Sequence, residues 1–235
     1  RNARLGPDHP HTLASMNNLA STYQAAGRLD EALPLFEETL ALTRAKLGPD
    51  HPNTLTSMNN LANAYQAAGR LDEALPLFEE TLRLRKARLV PDHPDTLTTM
   101  NNLALAYQDA GRLDEALPLY EETLALCKTK LGPDHPDTLT SMNNLAAAYY
   151  TAGRLDEALP LYEETLALRK TKLGPDHPDT LTSMNNLAVA YRNAGRLDEA
   201  LPLFEETLRL RNARLGPDHP HTLASMNNLA STYQA

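Results

Sequence analysis

TLTSMNNLANAYQAAGRLDEALPLFEETL, residues Thr54 to Leu82, returns almost letter for letter every 42 residues along the chain. Met16, Met58, Met100, Met142, Met184 and Met226 mark its equivalent points, each followed by two asparagines. The run Gly-Arg-Leu-Asp-Glu-Ala, at 69–74 in this copy, is constant in every complete copy. A fixed period of this length marks a solenoid, in which each unit buries its apolar face against its neighbours instead of in one central core. The 235 residues, which by length alone would fit one or two globular domains, are therefore read as a stack.

Each unit contains two helices. Pro-Asp-His-Pro opens the first, at 49–52 in this copy. Pro52 suits a first helical turn, where its missing N–H costs nothing, and Asp50 or His51 falls at the cap. Leu55, Met58, Leu61, Ala62 and Tyr65 follow at helical spacing and predict a helix over about 52–68. Gly69 ends it, at the position where a left-handed residue is cheapest. So short a connection sends the second helix, about 71–89, back antiparallel. Asp72 and Glu73 in its first turn and Lys86 and Arg88 in its last match the helix dipole. Leu71, Ala74, Leu75, Phe78 and Leu82 form one apolar stripe, Leu77 and Leu84 another. A helix apolar on two sides is sandwiched, here between its own first helix and the next one. Pro76, recurring as Pro34, Pro118, Pro160 and Pro202, predicts one missing backbone hydrogen bond and a bend at the helix start that sets the curvature of the array.

These residues resemble the tetratricopeptide repeat family over the full chain. The family pattern W-x2-L-G-x2-Y…A-x3-F…P falls on Met58, Leu61, Ala62, Tyr65, Ala74 and Phe78. Met stands for the Trp, Ala stands for the Gly, and the closing Pro is absent. The unit exceeds the usual length of about 34 residues, and the excess lies in RLRKARLVPDHP, which lengthens the second helix by about two turns. The long unit, with its Asp-His-Pro turn and Asn-Asn-Leu-Ala core, is most similar to the kinesin-light-chain type found also in bacterial multidomain proteins. The resemblance implies an all-α, right-handed superhelical solenoid of antiparallel helix pairs. One array over 1–235 is expected, with pairs at about 10–46, 52–88, 94–130, 136–172 and 178–214 and an unpaired final helix at 220–235. It also implies peptide or protein binding in a concave groove lined by the first helices.

Several functions are disfavoured by composition. With 22 Lys+Arg against 30 Asp+Glu the net charge is −8, so nucleic acid finds no basic footprint and an anionic membrane surface is repelled. No signal peptide or long apolar run targets or anchors this stretch. The lone Cys127 forms no intramolecular disulfide, and a reducing, cytoplasmic compartment fits best. Cys127 stands where other copies carry Thr43, Arg85, Arg169 and Arg211, a polar set that predicts a solvent-facing site. Asp50, His51, Thr54 and Ser57 contain the ingredients of a Ser-His-Asp triad. A motif copied at every turn is punctuation, however, and no enzyme activity is expected. Histidines such as His51, His93 and His135 are a whole repeat apart, too far to share a metal. His9 with His11 and His219 with His221 are closer, each pair separated by a proline. Neither a metal nor a cofactor is expected.

On the first helix, Thr56, Asn59, Asn60, Asn63, Gln66 and Ala67 form a second stripe not used for packing. Asn18, Asn60, Asn102, Asn144, Asn186 and Asn228 are constant and form a ladder. The site three residues on reads Ser21, Asn63, Leu105, Ala147, Val189 and Ser231. The next two read Gln66, Gln108, Tyr150, Arg192 and then Ala67, Asp109, Thr151, Asn193. Nearly identical repeats thus concentrate their differences on one face. The expected division is that the asparagines hydrogen-bond an extended peptide backbone while the variable residues select its side chains. The other reading is that each Asn satisfies a neighbouring helix. A ligand with an acidic tail is disfavoured, since the stripe offers only Arg192, offset by Asp109.

The function expected is a protein–protein interaction scaffold. The alternative is a structural spacer or self-assembling array. Residues 1–25 and 211–235 are identical, and terminal units without polar capping repeats predict head-to-tail association or helix exchange between copies.

Overall fold

The computed structural model describes Gly6 and residues 9–234. Among the described residues there are eleven helices and no strand. The first helices of the repeats are α1 (Pro10–Ala25), α3 (Pro52–Ala67), α5 (Pro94–Asp109), α7 (Pro136–Thr151), α9 (Pro178–Asn193) and α11 (Pro220–Tyr233). The second helices are α2 (Leu29–Leu47), α4 (Leu71–Arg88), α6 (Leu113–Leu131), α8 (Leu155–Leu173) and α10 (Leu197–Leu215). Residues 1–119 and 120–235 form two compact units, the division falling within α6.

The helix ends follow from the turn chemistry. His51, not Asp50, is the N-cap of α3, its Nδ1 accepting from the Asn53 N–H at 3.2 Å. His9, His93, His135, His177 and His219 do the same for their helices. Asp50 is left to accept from Arg88 at 2.6 Å. At the other end of α3, Gly69 takes φ 72°. The Arg70 N–H then reaches the Tyr65 carbonyl at 2.9 Å and the Gly69 N–H that of Gln66, closing a Schellman turn. Val90 shows what this chemistry requires. Gly48, Gly132, Gly174 and Gly216, at the equivalent place, all have positive φ; a β-branched residue does not adopt it. α4 accordingly stops at Arg88, one residue short of its counterparts. Thr54 and Thr138 donate to the Gly48 and Gly132 carbonyls at 2.8 Å, whereas Thr96, Thr180 and Thr222 make no such bond, so this contact does not follow from the glycine alone.

The second helices that lie wholly within one unit are sandwiched as the two stripes require. In the first unit α2 lies against α1 and α3, and α4 against α3 and α5; in the second, α8 lies against α7 and α9, and α10 against α9 and α11. The α1–α2–α3 core joins Ala20, Ala32, Leu33, Phe36, Leu61 and Ala64, with Tyr23 and Tyr65 packed on it. Alanines at the crossing let the backbones approach, and each buried Phe or Leu contributes about 1.5–3 kcal/mol. α4 runs through Pro76 without interruption.

A second layer of contacts explains why Gly-Arg-Leu-Asp-Glu is constant. Arg70 lies over the Tyr65 ring at 4.5 Å and grips Glu73 with two N–H groups, at 2.5 and 2.6 Å. The Tyr65 hydroxyl donates to Glu37 of the preceding second helix at 2.9 Å. The same arrangement recurs at Tyr107, Tyr149 and Tyr191. Each turn is thus tied to its own pair and to the preceding one.

Two sequence expectations are overturned here. The position shared by Thr43, Arg85, Cys127, Arg169 and Arg211 is buried, not solvent-facing, with Cys127 1% exposed. The last turns of the second helices lie under the next first helix, and the arginines are accommodated because their guanidiniums donate into its opening turn. Arg169 Nη1 meets the Asp179 carbonyl at 3.0 Å and Ser183 Oγ at 2.8 Å. Arg211 does likewise with His221 at 3.1 Å and Ser225 at 2.8 Å, and Arg85 with Asp95 and Thr99. Burial pulls the Arg85 and Arg169 pKa values below the ordinary one. It pushes that of the Cys127 thiol up to about 11, with Asp137 adding to the shift. Asn59, read as part of the outward stripe, is also buried.

Candidate functional site

The first helices of each unit present a common face. In the unit of residues 1–119, α1, α3 and α5 carry Asn18, Asn60 and Asn102, then Asn63 and Leu105, then Gln66 and Gln108. Asn18 and Leu105 are exposed, the others half-buried. In the unit of residues 120–235, α7 and α9 carry Asn144, Asn186, Ala147, Val189, Tyr150 and Arg192, all half-buried. Leu105 is the outlier in chemistry, a large apolar side chain 41% exposed; an isolated exposed leucine is ordinary, but this one sits at a position that differs in nearly every repeat.

The constant asparagines bond to one another across repeats. Asn60 Nδ2 donates to Asn17 Oδ1 at 3.0 Å and Asn102 Nδ2 to Asn59 Oδ1 at 3.4 Å. In the second unit Asn186 donates to Asn143 at 3.4 Å and Asn228 to Asn185 at 2.9 Å. The paired asparagines therefore act as a clip: the second of one repeat holds the first of the preceding one, keeping neighbouring first helices in register. A primary amide has two N–H donors and two acceptor lone pairs, so one such bond leaves capacity for a ligand.

The variable positions also reach between helices. Gln66 Nε2 donates to Asp109 Oδ2 at 2.7 Å, Asn193 Nδ2 donates to the Tyr150 hydroxyl, and Arg192 Nη1 donates to Ser231 Oγ at 3.0 Å. In each unit this face is thus a polar surface with preset hydrogen bonds and a local apolar point, Leu105 in the first and Val189 in the second.

The catalytic ingredients are used elsewhere. Ser57 Oγ donates to the Asn53 carbonyl and His51 Nδ1 accepts from the Asn53 N–H, so both groups serve the helix start. His9 and His11 stack, ring centroids 5.3 Å apart, and no cluster of metal-ligating side chains occurs among the described residues. No helix among them is long and apolar enough to cross a membrane.

Comparison with known proteins agrees with this architecture. The family model described as tetratricopeptide repeat matches residues 1–45, 12–87, 59–129, 95–171, 153–213 and 179–235. The crystal structure of a kinesin-light-chain-like protein of Podosopora anserina, with nearly identical TPR-like repeats, is 36% identical; the match covers 88% of this chain and 98% of that one, with a TM-score of 0.74. BtubC (BKLC) from P. vanneervenii is 25% identical over 89% of this chain and 83% of its own, also with a TM-score of 0.74. TTC0263 of Thermus thermophilus, at 23% identity and a TM-score of 0.64 over 95% of this chain and 100% of its own, shares the fold. No curated protein matches the chain. Repeats matched from end to end, together with a relative of 36% identity built of nearly identical TPR-like repeats, place the chain in the tetratricopeptide repeat family, in its kinesin-light-chain-like form.

Proposed function

We propose that the chain is a non-enzymatic scaffold that binds an extended peptide or protein segment along its first-helix face. Tetratricopeptide repeats are generally protein-interaction scaffolds. The observation that carries the finer reading is the placement of the differences: repeats otherwise nearly identical diverge at Asn63, Leu105, Ala147 and Val189, and at Gln66, Gln108, Tyr150 and Arg192. These side chains lie outside the buried core, and those that reach a neighbouring first helix do so with different partners in different repeats. Asn18, Asn60 and Asn102 in one unit, and Asn144 and Asn186 in the other, address the peptide backbone with the amide capacity left by the clip. The divergent residues select side chains. Arg192, the one cation among these positions, is engaged with Ser231, which argues against a ligand held by a terminal carboxylate. A cytoplasmic setting goes with this reading, with neither nucleic acid nor membrane as partner.

A peptide array probed with the whole chain tests it. Binding to a restricted set of sequences, altered by Leu105→Ser together with Gln108→Ala, is the expected result. Failure to bind any peptide, or binding indifferent to these substitutions, would remove the reading.

A second reading, self-association into longer arrays, takes up the near-identity of the repeats outside the variable positions. Sedimentation showing concentration-dependent growth supports it, and a monomer to millimolar concentration excludes it.

A further inference from the structure

The second-helix position that holds a buried arginine in three repeats is Thr43 in the first, and the two differ in what lies beside them. Between α1, α2 and α3 there is a cavity of about 180 Å³, lined by Leu13, Asn17, Thr39, Thr43, Leu47 and Ser57 among others. Shifted by one repeat, these are Leu55, Asn59, Thr81, Arg85, Leu89 and Thr99, the surroundings in which Arg85 is 4% exposed. There Arg85 takes the deep part, next to Thr99, and leaves a hollow bounded by the arginine itself, Arg88, Leu89 and His93.

We propose that the cavity at Thr43 is a binding site for a guanidinium group. The acceptors are in place. Ser57 Oγ donates to the Asn53 carbonyl at 3.0 Å, as Thr99 Oγ1 does to the Asp95 carbonyl at 3.0 Å, and in the second repeat that hydroxyl–carbonyl pair receives Arg85 Nη1. Arg169 and Arg211 engage the same pair in their repeats. The chain thus exhibits the ligand chemistry of this site three times, with its own side chains as ligand.

The carboxylate next to the pair is not essential to it. Arg211 meets the carbonyl of His221, where Arg85 and Arg169 meet those of Asp95 and Asp179. Asn53, which holds this place at the cavity, therefore leaves the site workable but weaker in charge. Beside Cys127, the other repeat without the arginine, Ser141 Oγ is buried and has no hydrogen-bond partner among the described residues, whereas Ser57 Oγ keeps its bond to the Asn53 carbonyl and has acceptor capacity free for a donor. A guanidinium suits the site better than an ammonium because it is planar, carries several N–H donors in fixed directions and is less strongly hydrated. The cavity opens beside Asn18 and Thr56, both exposed, so it admits either a small free guanidinium compound or an arginine side chain presented by a partner. The site does not depend on the peptide-binding reading.

The test is a titration of the whole chain with methylguanidinium at constant ionic strength, followed by NMR at the Asn53 and Ser57 amides. Saturable shifts with a midpoint in the millimolar range are expected, absent with methylammonium. Thr43→Arg, which places in the cavity the residue three other repeats hold there, abolishes them, and Asn53→Asp lowers the midpoint several-fold. Ser57→Ala raises it. Shifts that fail to saturate, are matched by methylammonium, or persist in Thr43→Arg overturn the proposal. A second arm uses a short arginine peptide and its lysine counterpart. A midpoint at least tenfold below that of methylguanidinium for the arginine peptide alone identifies a protein side chain as the ligand, and equal midpoints identify a free guanidinium compound.

Discussion

The two faces of α5 obey different rules although they belong to one helix. Leu97, Met100, Leu103 and Ala104 face the stack, are 3% exposed or less, and keep the same residue type in every complete repeat. Asn102, Leu105, Gln108 and Asp109 face outward; the asparagine is constant, Leu105 and Asp109 stand at positions that change, and Gln108 matches Gln66 but gives way to Tyr150 and Arg192. The inner face is constrained because a close-packed interior registers the loss of even a methylene. On the outer face the asparagine is constant and joins neighbouring first helices through Asn59, while Asp109, which accepts from Gln66, stands at a position that varies. Constancy in this chain therefore has two physical sources, packing and the asparagine clip, and variation has one, freedom from both.

The largest effect expected is at the inner face. Met100→Ala removes a fully buried side chain and should cost about 2–5 kcal/mol, read as a lower midpoint in urea. A cost under about 0.5 kcal/mol would mean that the two faces do not differ as described.

The tyrosines at the ends of the first helices come next, because they act together. The hydroxyls of Tyr65, Tyr107, Tyr149 and Tyr191 are each pushed up to about 12, first by burial and then by the glutamate that accepts from them. A phenol whose folded pKa lies above its unfolded value of about 10 stabilises the fold fully below that value, and the contribution is lost as pH rises through about 12. Melting temperature should therefore be insensitive to these groups at neutral pH and fall between about pH 10 and 12. Replacing all four by Phe should flatten that decline; an identical alkaline profile would contradict the assignment.

Asn102→Ala should cost about 0.5–1.5 kcal/mol, the worth of one intramolecular hydrogen bond, because its Nδ2–H holds Asn59. It sharpens the comparison by separating the clip from the rest of the outer face. The smallest effect falls on Leu105→Ser, which should change stability by no more than about 0.5 kcal/mol.

Much of this was legible in the sequence. Helix ends could be read from Pro52 and Gly69 because a missing N–H and a left-handed residue each have few places to go. The sandwich followed from Leu77 and Leu84, whose position on a second face leaves no alternative to a second neighbour. Position 85 was not legible, since periodicity registers only apolar residues. Arginine, threonine and cysteine there resemble a solvent face until the accepting carbonyl and hydroxyl, on the next helix, are seen. The clip was hidden for a different reason: an invariant asparagine has the same appearance whether it serves a ligand or its neighbour 43 residues away.

The central claim is that the outer face carries recognition without carrying the fold. It is tested most directly by measuring peptide selection and thermal melting together, on the whole chain and on Leu105→Ser with Gln108→Ala. A changed set of bound peptides with a melting temperature close to that of the parent is expected. The same peptides bound with the same strength, or a large fall in melting temperature, would contradict it.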